Sequence, residues 1–132
     1  MFSFYLQEKE FNMSTKKIKV LVIWVDGSVS YQSVVADRSI LEIEDLLEGS
    51  ADSLRINKEA TLYYNEMGAF KNVPVNELAT EVAHELGCDL CAGETLHGNV
   101  IITGGNDPWG NDREAPSALA EDIMRLAELR TV

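Results

Sequence analysis

The chain has 132 residues, 45% of them hydrophobic and 25% charged, which is ordinary for one globular domain with a proper core. No apolar stretch approaches the ~20 residues that span a bilayer, no secretory signal opens the chain, and two cysteines three positions apart cannot staple a disulfide scaffold, so a cytoplasmic domain without membrane association is expected. Twenty-two acidic residues against 11 basic ones give a net charge of −11, which argues against DNA or RNA as the direct ligand and favours partners with a basic surface, although solubility alone also explains such a balance.

Residues 1–12 read as a flexible extension, because Met13-Ser14-Thr15-Lys16-Lys17 has the form of a natural start. The domain is then expected over 13–132. Ile18 to Val25 is a nearly continuous β-rich run, and Asp26-Gly27 before Ser28 to Val35 predicts a hairpin with a tight primed turn. Ser39-Ile40-Leu41-Glu42 has the pattern of a capping box, followed by Ile43, Leu46 and Leu47 at helical spacing and by Gly49 as a left-handed stop. After a polar connector, Ala60 to Tyr64 reads as a strand, Asn65 to Gly68 as a turn and Ala69-Phe70 as the return strand.

A second helix is expected from Pro74, placed in its first turn, to just before Gly87, with Val75, Leu78, Ala79, Val82, Ala83 and Leu86 as its apolar stripe. Asn99 to Thr103 is a β-branched run ending in a Gly104-Gly105-Asn106-Asp107 loop, and Pro116 introduces a last helix with Leu119, Ile123, Leu126 and Leu129 on its core face. The fold class predicted is α+β: an N-terminal β-hairpin and an antiparallel or mixed sheet, covered by about three helices.

Three constellations carry possible chemistry. His84, Cys88, Cys91 and His97 hold every histidine and cysteine of the chain within 14 positions, so they are candidate zinc ligands. Small core cysteines in a helix-to-strand connector explain the same pattern without metal, and a thioredoxin-like pair is disfavoured because the motif follows a helix end. Glu77, Glu81 and Glu85 form an i, i+4, i+8 acidic line with no Lys or Arg on their own helix, in a half of the chain (67–132) that carries 11 acids and 4 bases. That line is either a solvated face or a docking face for a basic partner. Finally, the loop at 104–107 is neither a Walker loop nor a dinucleotide fingerprint, His84-Glu85 lacks a second histidine at 88, and no serine sits in a nucleophile elbow. No enzyme is recognisable from these motifs.

Asn65-Glu66-x-Gly68, Pro74-x-Asn76-x-x-Ala79-Thr80 and Gly98-x-x-Ile101-Ile102-Thr103-Gly104 together resemble an uncharacterised domain-of-unknown-function family of phages, plasmids and bacterial mobile elements, over about residues 18 to 107. The resemblance implies a context, a small accessory protein on a mobile element, and no activity. Asn65, Asn76, Thr80, Thr103 and Gly104 are then candidate recognition residues as well as turn and cap formers. The function expected is non-enzymatic binding of a host protein, in host takeover or anti-defence. A small-molecule or nucleotide sponge using the Asn65 turn and the Thr103-Gly104 loop is the alternative, and a DNA mimic or metal-dependent protein a further one.

Overall fold

The computed structural model describes residues 16–57, 59–88 and 93–130, so the 1–12 extension and Cys91 lie outside the described residues. Strand β1 (Lys17–Ile23) is apolar almost throughout because both of its faces are covered. Leu21 and Ile23 point to one core; Ile18, Val20 and Val22 point to the other. Strand β2 (Val29–Val35) pairs with it antiparallel, Ile23 facing Val29 and Lys17 facing Val35. The connection differs from a two-residue primed turn. Trp24 and Ser28 close a three-residue loop by a 2.8 Å backbone bond, and Gly27, at φ +92°, takes the left-handed position.

Helix α1 (Ser39–Leu47) follows a short 3-10 turn. The expected capping box does not form. Ser39 is buried inside the first turn and donates its hydroxyl to Asp112, while Glu42 reaches back to the Val35 amide. The left-handed stop falls on Glu48 (φ 58°) and not on Gly49, whose missing side chain instead admits the Asn65 amide, 2.7 Å from where a Cβ would stand. Ile43 and Leu47 are buried, and Ile40 is exposed.

The stretch expected as a polar connector is strand β3 (Ala51–Asn57), hairpinned to β4 (Ala60–Asn65). Ala69-Phe70, expected as the return strand, belongs to a turn at 66–72 and leaves Phe70 exposed. Helix α2 (Glu77–Glu85) begins after Asn76, so Pro74 lies outside it. Strand β5 (Val100–Thr103) runs antiparallel between β1 and β4, giving the all-antiparallel order β2-β1-β5-β4-β3. Past the end of β5, the 114–115 segment serves the free side of β1: Lys19 N–H donates to Glu114 and the Lys19 carbonyl accepts Ala115 N–H.

Helix α3 (Ser117–Arg130) packs beside α2 on the Leu21 face, and α1 lies alone on the Val20 face. The fold is α+β, a sheet between one helix and two. Alanines 79, 83, 120 and 127 are buried where α2 and α3 press against the sheet. Leu129, expected in that core, is 68% exposed. Among the described residues no helix is long and apolar enough to cross a membrane.

Candidate functional site

Most of the residues singled out by sequence are anchors. Asn76 is completely buried; its Oδ1 caps α2 by accepting Ala79 N–H at 3.0 Å, and its Nδ2 donates to the carbonyls of Ile23 (2.9 Å) and Gly98 (2.8 Å). One side chain thus ties a helix start to the end of β1 and to the bend that leads into β5. Thr80 donates to the Asn76 carbonyl and accepts Leu96 N–H. Asn65 donates to the Leu47 carbonyl and accepts Met67 N–H, closing α1 onto the turn after β4.

Thr103 and Gly104 lie at the opposite end of the sheet from Asn65. Thr61 faces Thr103 in the β4–β5 register, so Asn65, four residues further along β4, is roughly 13 Å away along the strand. The structure does not bring them into one site. Gly104 is where the 104–113 loop folds back: a Cβ there would meet the Glu114 carbonyl at 2.0 Å. Gly104 N–H donates to the Arg113 carbonyl at 2.7 Å, Arg113 N–H donates to the Gly105 carbonyl at 2.9 Å, and Asp107 accepts the amides of Trp109 and Asn111. Trp109 stands at this fastened tip, 83% exposed.

The fold-back inserts Asp112, which sequence reasoning missed. This carboxylate is buried with no ion pair among the described residues, and three hydroxyls donate to it: Ser39 at 2.6 Å, Tyr63 at 2.8 Å and Thr103 at 3.4 Å. Burial, followed by the Asp112 carboxylate, pushes the Tyr63 phenol well above its usual range. Tyr63 therefore stays neutral, with its proton committed to Asp112 and its oxygen left as an acceptor.

The acidic line on α2 is partly compensated from outside the helix. Arg130 on α3 pairs with Glu81 and reaches Glu77 at 3.6 Å. Glu85 is exposed and has no ion pair among the described residues. It borders an open groove of about 340 Å³ between α2 and α3, lined by Val82, Leu86, Leu119, Ile123, Leu126 and the exposed Leu129, together with Asp122 and Arg125, themselves 3.5 Å apart.

For the candidate metal ligands, His84 is exposed on α2, while Cys88 is buried and has no disulfide partner among the described residues, its thiol pushed up by that burial. Both His97 nitrogens are engaged, Nδ1 with the Val73 carbonyl at 2.7 Å and Nε2 with the Thr95 hydroxyl at 2.9 Å. Since a carbonyl only accepts, the ring proton sits on Nδ1 and Nε2 faces the hydroxyl. Among the described residues no three His, Cys, Asp or Glu side chains are placed to hold a metal ion.

Compared with protein-family models, with curated proteins and with solved structures, the chain finds no match in any of the three.

Proposed function

We propose that this is a small binding protein of a phage or mobile element that acts without catalysis, by holding a basic amphipathic helix of a host protein in the α2–α3 groove. The observation that carries the reading is the groove itself: leucine-lined, open to solvent, and bordered by Glu85 and by the Asp122–Arg125 pair. An apolar helix face fits such a floor, and a Lys or Arg beside that face meets Glu85 on the rim, which forms no ion pair among the described residues. The net charge of −11 adds long-range attraction for a basic partner, and the family resemblance supplies the mobile-element setting. Of the Glu77, Glu81, Glu85 line, Glu85 makes the contact, since Arg130 already occupies the other two.

The test is capture of a host partner followed by titration of that purified partner. Leu129→Ser should weaken binding by on the order of tenfold, as loss of an exposed leucine anchor does. Glu85→Gln should slow association and flatten its dependence on salt. Leu129 is exposed, so the melting temperature should not move. A partner that binds these variants with parental affinity sinks the reading.

A further inference from the structure

On the opposite face of the sheet from the α2–α3 groove, α1 covers β1, β5 and the Ala51 end of the β3–β4 hairpin. It leaves the other end of that hairpin open. There Ser53 faces Tyr63 across the strands and Arg55 faces Thr61, so their side chains share one surface. The folded-back loop rises beside them through Asn106, and the result is a concave groove of about 380 Å³, within the range of small-ligand sites.

Its chemistry is unlike that of the rest of the surface. The groove is lined by hydroxyls, amides and the Arg55 guanidinium, and no carboxylate belongs to it. Other depressions in this acidic chain do carry one: Glu85 and Asp122 between the helices, Asp26 and Glu77 by the first hairpin, Glu48 near Asn65. Arg55 forms no ion pair among the described residues, whereas Arg125 and Arg130 are both engaged.

We infer that this groove binds a small phosphate monoester bearing hydroxyl groups, such as a sugar phosphate. The guanidinium offers a planar fork that matches a phosphate edge with two parallel hydrogen bonds. Asn57, Ser53 and Thr61 supply further donors for the remaining oxygens. At the inner wall the Tyr63 proton is held by Asp112 and an Asn106 N–H donates to its oxygen, so what the phenol still offers a ligand is one acceptor site. It therefore selects a ligand hydroxyl and not a second anionic oxygen. The Asp112 cage fixes that orientation before any ligand arrives, through Ser39 on α1 and Thr103 on β5. The site goes beyond the host-protein reading and does not depend on it.

The experiment is titration of the full chain with ribose 5-phosphate, ribose, inorganic phosphate and gluconate, followed by amide chemical shifts and calorimetry. Ribose 5-phosphate should saturate at roughly millimolar concentration or below, with shifts centred on residues 53–63 and 105–106. Ribose should not bind, and inorganic phosphate should bind at least tenfold more weakly. Arg55→Gln should lower the affinity at least tenfold with an unchanged melting temperature, and Arg55→Lys should recover only part of it. Absence of saturable shifts with ribose 5-phosphate overturns the inference. So do gluconate binding as tightly as the phosphate, or full affinity in Arg55→Gln.

Discussion

Replacing Asn76 with Ala should destabilise the protein by about 3–7 kcal/mol. The sum has two parts. Losing an N-cap acceptor costs about 1 kcal/mol. Each buried carbonyl left without its donor costs ~1–3 kcal/mol, and two are left, those of Ile23 and Gly98. Asn76→Asp separates the parts, because the carboxylate still accepts Ala79 N–H but turns an oxygen toward both carbonyls. At pH 7 that variant should be at least as unstable as Asn76→Ala. Its folded-state pKa is raised by the buried acceptors, so the folded form binds the proton more tightly than the unfolded form, and stability should recover as pH falls toward about 4. Urea unfolding followed by circular dichroism at pH 7 and pH 4 measures both effects. A cost below about 1.5 kcal/mol for Asn76→Ala, or a pH-independent cost for Asn76→Asp, would refute the claim that this side chain ties the helix start to the end of β1 and to the bend that leads into β5.

Two other perturbations test the loop and the tyrosines. Gly104→Ala drives a Cβ into the Glu114 carbonyl and should cost about 2–3 kcal/mol by overpacking, lowering the melting temperature by roughly 10 °C in a thermal scan. At alkaline pH, Tyr63 and Tyr64, raised chiefly by burial, and the Cys88 thiol, raised by burial, favour the protonated folded state. Their contribution is complete below the ordinary thiol and phenol values and is lost as pH climbs through the folded ones, so stability should fall from about pH 9 upward. Absorbance near 295 nm should show one phenol ionising only as the protein unfolds, and Tyr63→Phe should remove that late component.

The order β-β-α-β-β-α-β-α is readable from sequence, but partly for the wrong reason. Ala60 to Tyr64 and Ala69-Phe70 served as the third and fourth strands, whereas the pair is Ala51–Asn57 with Ala60–Asn65. β3 is an edge strand whose apolar residues, Leu54 and Ile56, are only half-buried, so its pattern resembles a connector. Missing that strand also hid Arg55 and the groove around it. The capping pattern at Ser39 is genuine as a local signal, yet a partner 73 residues away takes the hydroxyl. Nothing local marks Asp112 for burial, because the groups that satisfy it come from a helix and two strands. By contrast the Asn76 and Thr80 motif was legible as a cap, since that chemistry lies within four residues.

The position of β5 bears on the order in which the chain can assemble. Each hairpin pairs neighbours in sequence, but β1 and β4 never touch as partners; both bond to a four-residue strand that is synthesised last of the five. Leu21 must wait for Ile102, and Leu62 waits for the same residue. On a translating ribosome, everything before residue 100 can therefore form two separate ribbons and their helices, with β1 and β4 still presenting unpaired edges. Closing the sheet brings together segments some 80 residues apart, a long loop whose entropy must be met before the β5 contacts repay it. Val100, Ile101 and Ile102, all fully buried, make that late step cooperative, because one short insertion completes the cores on both faces at once.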